Sequence, residues 1–158
     1  MTVDDADAFY RLNSHPDVMR YTGEPPLASA AAAREAIEQY RDWEEPGYGR
    51  WACVLRGEGT MVGFCGLKRL PERGETDIGY RFHPDYWGRG LATEAARASL
   101  RYGFEVLGLE TIVALVLPGN AASIRVLEKL AMVRADDVIY FGESVQRWVA
   151  SSTPTATD

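Results

Sequence analysis

The chain has 158 residues, of which 46% are hydrophobic and 25% are charged, and it carries a net charge of −6 at pH 7. This length suits one domain with a full hydrophobic core, and the acidic balance argues against a nucleic-acid surface, which needs clustered Lys and Arg. No apolar run reaches the roughly 18 residues of a membrane span, and the acidic start is unlike a signal peptide. We therefore expect a cytoplasmic protein that binds neither nucleic acid nor membranes.

The N-terminal third is predicted to be helical. Acidic residues open a helix from Asp4 to Ser14, and Pro16 follows its end. Ser29 suits the N-cap of a second helix, which is predicted from Ala30 to about Trp43.

Three strand-like runs follow, at Trp51 to Leu55, Met61 to Leu67 and Thr76 to Phe82. Turns at Gly57-Glu-Gly59 and Pro71-Glu-Arg-Gly74 join them, which favours an antiparallel meander.

Cys53 and Cys65 lie in these runs without the spacing of a metal site, so no metal is expected. We interpret them as buried thiols, with a cross-strand disulfide as the alternative.

The second half predicts a strand–helix–strand crossover. A helix from Thr93 to Leu107 ends at Gly108, and a buried strand from Thr111 to Leu117 follows, which implies a right-handed parallel connection. The remaining elements are a helix at 121–130, weaker strands at 133–140 and 145–149, and a disordered tail at 151–158. The expected architecture is one α/β domain over 1–150, with a mixed sheet and helices on both faces.

Two turns at the same sheet edge are candidate binding elements. Gly88 and Gly90 stand between a strand and a helix start, where free N–H groups and the helix dipole favour an anion such as a pyrophosphate. The plain alternative is a loop that uses glycine for its positive φ angles. A dinucleotide-binding turn fits poorly, because Thr93 replaces the third glycine of GxGxxG. Asn120 and Ser123 begin the next helix, either as a simple N-cap or facing the same ligand crevice.

The stretch from Asp77 to Lys129 resembles the acetyl-CoA-binding core of the GNAT superfamily of N-acetyltransferases, and a weaker likeness extends from Asp5 to Val149. It is similar to the branch that acetylates the N-terminal amine of ribosomal proteins, in the runs Ile78-Gly-Tyr80, Tyr86-Trp-Gly-Arg-Gly-Leu-Ala-Thr-Glu-Ala95, Pro118-Gly-Asn-Ala-Ala-Ser123 and Arg125-Val-Leu-Glu-Lys-Leu130. The resemblance implies a mostly antiparallel, twisted sheet. Family members usually begin with a strand before the first helix, so here that strand is missing or the true start lies upstream.

The resemblance also implies a site for acetyl-CoA as co-substrate. Amides of the glycine turn would bind pyrophosphate, and backbone around Tyr80 to Phe82 would pair with the pantetheine arm. A bulge and a splay of the strands ending near Phe82 and Leu117 would admit the thioester. Lys129 is placed where it could approach the 3′-phosphate. The full predicted cofactor set is Tyr80, Arg81, Phe82, Trp87, Gly88, Arg89, Gly90, Leu91, Ala92, Thr93, Asn120, Ser123 and Lys129.

The predicted catalytic residues are Asp77, Asn120 and Ser123. Many family members place a tyrosine acid seven residues past the asparagine, where this chain has Leu127, so Ser123 becomes the leading candidate for the acid. Asn120 would bind pantetheine or the amine. Asp77 is a candidate base, with a solvated strand carboxylate as the plain alternative and His83 as another base.

The implied activity is direct acetyl transfer to a primary amine. The favoured acceptor, which the resemblance to that branch implies, is the N-terminal α-amine of a protein or peptide. Its pKa of about 7.7–8.0 would let it lose its proton to water or a weak base. The alternatives are a small amine, such as a polyamine, an aminoglycoside or an amino-acid analogue, and a non-catalytic coenzyme A-binding module. The oligomeric state is left open, with a homodimer as one form.

Overall fold

The computed structural model describes residues 1–152. The N-terminal helices are a 3-10 helix, Val3–Asp5, followed by α1 (Ala6–Ser14), α2 (Pro16–Met19) and α3 (Ala30–Glu38). The meander consists of β1 (Arg50–Val54), β2 (Met61–Leu70) and β3 (Glu75–Phe82). The remaining elements are a 3-10 helix, Pro84–Tyr86, then α4 (Leu91–Glu105), β4 (Thr111–Val116), α5 (Ala121–Lys129), β5 (Val133–Arg134), β6 (Val138–Tyr140) and β7 (Glu143–Ser151).

The seven strands of the described chain form one sheet in the order β1-β2-β3-β4-β7-β5, with β6 paired to β7. Neighbouring strands are antiparallel except β3 and β4, which run parallel because α4 makes the crossover between them. The predicted meander and the predicted mixed, mostly antiparallel sheet are confirmed.

Helices pack on both faces of this sheet, as predicted. On one face, Leu12 of α1 packs with Phe64 of β2. On the other, Leu100 of α4 packs with Leu67 of β2 in the larger core cluster. Phe64 and Leu67 are three residues apart, so the alternation of a strand turns them to opposite faces. Gly103 lets α4 approach the sheet, because a Cβ there would lie 2.5 Å from Ile112 Cδ1.

Most element boundaries shift by a few residues from the predictions, and three differences change how the segment is described. The helix after Ser29 ends at Glu38, and the chain returns to β1, where Arg50 N–H donates to the Tyr40 hydroxyl at 3.0 Å. The strand expected over 133–140 is two short strands, β5 and β6. Ser151 belongs to β7 and pairs with Thr111, so it is not part of a tail. Residues 153–158 lie outside the described residues.

Both cysteines are free thiols, and the alternative of a disulfide is not realised. Burial raises the pKa of the Cys53 thiol to about 12 and that of the Cys65 thiol to about 11. Within residues 1–152, none of the helices combines the length and the hydropathy that crossing a bilayer requires.

Candidate active site

The parallel strands β3 and β4 separate directly after one paired position, Asp77 opposite Val113. Beyond it, Leu115 N–H donates to Asp77 Oδ1 at 3.3 Å instead of continuing a backbone ladder. The register of β3 with β2 and that of β4 with β7 are both unbroken. The expected splay is therefore present, whereas the expected bulge is absent from both ladders.

A cleft of about 790 Å³ opens at this splay. Its walls come from β3, the first turns of α4 and α5, the segment of α2 and its following loop, and the turn between β6 and β7. The predicted site residues all line the cleft, with the exception of Arg89. The Arg89 guanidinium instead lies over the Tyr86 ring, 5.6 Å from its centroid. The residues predicted from the sequence thus come together in one cleft, apart from Arg89, and their roles stay predictions.

Backbone groups of β3 face the cleft. His83 N–H donates to Val62 O at 3.0 Å, so these residues form a hydrogen-bonded pair of the β2–β3 ladder. In an antiparallel ladder the bonding direction alternates, so the backbone polar groups of Tyr80 and Phe82 point away from β2. Phe82 O accepts a hydrogen bond from Trp87 Nε1 at 2.7 Å. The N–H and C=O groups of Tyr80 and the N–H group of Phe82 therefore remain to pair with an extended ligand.

The glycine turn exposes the start of α4. Gly88 and Gly90 have φ angles of 74° and 76°, in the left-handed region that glycine adopts without strain. Gly90 is the N-cap residue and supplies no side-chain cap. The N–H groups of the first helical turn, at Leu91, Ala92 and Thr93, lack intrahelical acceptors and line the cleft. This turn has the geometry of an anion site.

The first turn of α5 forms the opposite side of the cleft. Asn120 is the N-cap, and its Oδ1 accepts from Ser123 N–H at 3.2 Å, so the cap interpretation is correct. The Tyr80 hydroxyl donates to Ser123 O at 3.3 Å. The Ser123 hydroxyl has no hydrogen-bond partner within residues 1–152. Leu127 is 1% exposed and belongs to the core, whereas a phenol from β3, Tyr80, reaches the same helix.

Asp77 lies at the point where the strands part. Its side chain is only 14% exposed, which excludes the alternative of a solvated strand carboxylate. Burial raises its pKa from 3.8 to about 6, and this rise is opposed by the Arg50 guanidinium and by the Leu115 N–H. Arg50 Nη2 lies 3.5 Å from Asp77 Oδ2. Arg50 had no signal in the sequence, because 27 residues separate it from Asp77.

The Arg81 side chain, for which the sequence predicted no separate role, bonds the N-terminal segment. Its guanidinium donates to Asn13 Oδ1 and to Glu24 Oε2, each at 2.7 Å. It therefore ties β3 to the N-terminal helical segment and forms a wall of the cleft. Burial lowers the pKa of this guanidinium, while the Glu24 carboxylate raises it.

The alternative base His83 lies outside the cleft. Its Nδ1 accepts a hydrogen bond from Asp85 N–H at 3.4 Å. Its ring packs edge to face against the His15 ring, with 5.4 Å between the ring centroids. Lys129 and Arg125 line the cleft from the exposed side of α5.

Residues 1–133 match the family model described as an acetyltransferase (GNAT) domain. The chain is 32% identical over 133 residues to an uncharacterized N-acetyltransferase, p20, of Bacillus licheniformis, which is 83% of this chain and 75% of that protein. The crystal structure of a GNAT-family acetyltransferase from Bacillus anthracis matches with a TM-score of 0.81 and 27% identity, over 96% of this chain and 92% of that one.

Two other similar proteins have named acceptors. Spermidine N(1)-acetyltransferase of Escherichia coli (strain K12) is 29% identical over 123 residues, which is 77% of this chain and 63% of that protein. Ribosomal-protein-S5-alanine acetyltransferase of Vibrio fischeri matches with a TM-score of 0.76 over 96% of this chain and 90% of that one, at 17% identity. That identity shows a shared fold alone. The comparisons therefore do not favour the ribosomal-protein branch.

Proposed function

The chain belongs to the GNAT acetyltransferase family and is an N-acetyltransferase, and from this premise we propose that it transfers acetyl from acetyl-CoA directly to the N-terminal α-amine of a protein or peptide. One observation carries this proposal: the splayed β3 edge, the open amide turn of α4 and the buried Asp77 carboxylate meet in a single cleft.

The cleft fits the acetyl-CoA that the family resemblance implies. The amides of Leu91, Ala92 and Thr93 suit a pyrophosphate, and the backbone of Tyr80 suits a pantetheine amide by strand-like pairing. Lys129 is available to the 3′-phosphate. When bound, acetyl-CoA supplies an activated acetyl thioester. The chain itself then needs to hold an amine, accept its proton and donate a hydrogen bond to the departing sulfur.

Asp77 is the residue we assign to accept the proton. A carboxylate with a pKa of about 6 is largely ionised at neutral pH, yet it is more basic than an ordinary aspartate. An α-amine with a pKa of about 7.7–8.0 lies within two units of it, whereas a lysine-like amine at about 10.4 does not. This match favours the N-terminal α-amine over a strongly basic small amine.

We assign the hydrogen bond to the departing sulfur to Ser123, whose hydroxyl lines the cleft and is otherwise unpaired in the described chain. Tyr80 is the competing donor, but burial raises its pKa to about 12 and its hydroxyl already bonds Ser123 O. Asn120 is held by its capping bond, which leaves its Nδ2 available for the pantetheine or the amine.

A small cationic amine is the second candidate acceptor. Asp17 lines the cleft and would attract a cation, whereas the Glu24 carboxylate nearby is already paired with Arg81. The spermidine acetyltransferase among the similar proteins supports the same alternative.

The test begins with the thermal midpoint in the presence of acetyl-CoA, with NAD as the control ligand. Ligand at 100 times its dissociation constant adds about 2.7 kcal/mol, which is a shift of several degrees. A peptide with a free N-terminus is then compared with its N-acetylated form, spermidine and an aminoglycoside. Transfer to the free peptide supports the proposal, and transfer to spermidine alone selects the second candidate. Binding without any transfer would identify a non-catalytic coenzyme A-binding module.

A further inference from the structure

Gly79, the centre of the run Ile78-Gly-Tyr80, has no role in the proposed acetyl transfer. Its φ lies outside the left-handed region, so its backbone does not require glycine. The requirement is spatial. A Cβ built there would overlap Arg50 Nη2 and would lie 2.9 Å from Arg50 Cζ and 3.1 Å from its Nε. The guanidinium occupies the space that a side chain at Gly79 would fill.

Arg50 reaches this place from β1, across the middle of the meander. Its guanidinium lies 5.6 Å from the Phe64 ring centroid and 3.5 Å, through Nη2, from Asp77 Oδ2. Its Nε is buried and has no hydrogen-bond partner in residues 1–152. The side chain is therefore held by packing over Phe64 and Gly79 and by the single contact with Asp77.

We propose that Arg50 is a positioning residue for the Asp77 carboxylate, and that Gly79 is the slot that admits its guanidinium. The inference rests on the proposed function, in which Asp77 accepts the proton of the amine. Arg50 holds Oδ2 while Leu115 N–H holds Oδ1, so the two contacts fix the carboxylate in the splay between β3 and β4.

The other charged and titratable groups near Asp77 and Arg50 do not replace this contact. Those near Asp77 include Lys68, Glu75, Tyr80 and Tyr140. Arg81 lies over the same Phe64 ring as Arg50 and is paired with Glu24. Lys68 is opposite Asp77 in the ladder but makes no ion pair within 4 Å in the described residues. Glu75 is engaged by Arg73 and Arg147. Arg50 is thus the one cation within ion-pair distance of the carboxylate in residues 1–152.

Two substitutions remove the contact in different ways. Arg50→Gln removes the positive charge. Gly79→Ala keeps the arginine in the sequence, but its added methyl group displaces the guanidinium from Asp77. The displaced atoms are the end of a flexible side chain, so Gly79→Ala is expected to fold normally. Arg69→Gln is the matched control, because Arg69 is exposed on the neighbouring strand and bonds Gly74 O, away from Asp77.

The first measurement is the NMR titration of the Asp77 side-chain carboxyl in each protein without acetyl-CoA. We expect the midpoint of Asp77 to rise by about one pH unit in Arg50→Gln and in Gly79→Ala, because a favourable opposite charge is lost. The control should titrate like the parent. An unchanged midpoint in both variants would overturn the proposal, and this result does not depend on any enzymatic activity.

The second measurement is the pH profile of kcat/KM with the acceptor found in the screen. Both variants should lose about fivefold at pH 6, about tenfold at pH 5 and little at pH 8, because the acid limb of the profile moves upward with the pKa of the base. Arg50→Lys should restore part of the loss. The double variant should equal Arg50→Gln, because the added methyl has no guanidinium left to displace. If the losses of the two single variants added up in the double variant, the methyl group would obstruct the acceptor itself. That result would contradict the proposal that Gly79 serves to admit the Arg50 guanidinium. A parent without turnover on any amine would refute the proposed function alone.

Discussion

The two halves of the cleft present different groups to a ligand: one presents mainly backbone groups and the other mainly side chains. The half formed by β3, the glycine turn and α4 presents mainly backbone groups: the polar groups of Tyr80 and the amides of Leu91 to Thr93. The half formed by the loop after α2 and the β6–β7 turn presents side chains, among them Tyr21, Glu24 and Phe141. Under the proposed function, the first half binds acetyl-CoA and the second faces the amine, so we call them the backbone-built half and the acceptor half.

The two halves also differ in how they are held together. The glycine turn is local, and the bond from Trp87 Nε1 to Phe82 O spans five residues. The acceptor half depends on distant contacts: Arg81 reaches back 57 residues to Glu24, and Tyr21 packs on Gly119. Substitutions should therefore divide into those that affect acetyl-CoA and those that affect the amine. Asp77, at the junction, should affect the chemistry itself.

The largest effect is expected for Asp77→Asn, which removes the proposed base. We expect kcat to fall by about 10² to 10⁴, the usual contribution of general base catalysis, while the affinity for acetyl-CoA stays within about twofold. In the parent protein, kcat/KM should fall below pH 6 as Asp77 is protonated. Steady-state kinetics between pH 5 and 9 check both points. A loss of affinity without a loss of kcat would show that Asp77 is not the base.

The same substitution predicts a change in stability with pH. The folded-state pKa of Asp77 is about 6, above its ordinary value of 3.8, so the folded state binds this proton more tightly than the unfolded state. Its contribution to stability is complete below pH 3.8 and is lost as the pH rises through 6. Thermal unfolding should show this decline in the parent and a smaller one in Asp77→Asn. Equal slopes would contradict the burial-raised pKa.

The second effect lies in the backbone-built half. Gly90→Trp replaces a left-handed glycine and covers the amides of α4, so we expect acetyl-CoA to bind about 100-fold more weakly, or about 2.7 kcal/mol. Gly74→Trp is the matched control, because Gly74 has a φ of 66° and equally open surroundings in the β2–β3 turn. Calorimetric titration measures both. If Gly74→Trp weakened acetyl-CoA binding equally, the lost affinity would come from strain in the fold and not from the covered amides.

This division explains how much the sequence could predict. The backbone-built half is encoded locally, because Gly88, Gly90 and the cap Asn120 lie beside the groups they expose. The predicted turn and cap are both present, and the roles of these residues in binding stay predictions. The acceptor half was not predictable in the same way, because the partners of the Arg81 side chain, Asn13 and Glu24, lie 68 and 57 residues away in the sequence. Arg50 was missed for the same reason, since no local pattern relates it to Gly79.

A third, smaller effect is expected for Ser123→Ala, which removes the hydroxyl proposed to assist the departing sulfur. We expect kcat to fall by about tenfold, or 1.4 kcal/mol of barrier, with the α5 cap intact because Asn120 bonds the backbone of residue 123. Tyr80→Phe provides the comparison, since it removes the neighbouring hydroxyl. If Tyr80→Phe lost more activity than Ser123→Ala, the assignment of the two hydroxyls would be reversed.

The smallest effect, and the one that tests the acceptor half most directly, is expected for Glu24→Gln. Glu24 is 46% exposed, so its ion pair with Arg81 contributes little to folding, and the thermal midpoint should hardly change. Both residues of the pair nevertheless line the cleft, so we expect KM for the amine to rise about threefold while KM for acetyl-CoA stays constant, a shift of about 0.7 kcal/mol. Glu38→Gln on α3 serves as the control, since its pair with Arg34 lies on the helix surface. If both Michaelis constants rose together, the two halves would be coupled through β3, and the separation of backbone and side-chain recognition would fail.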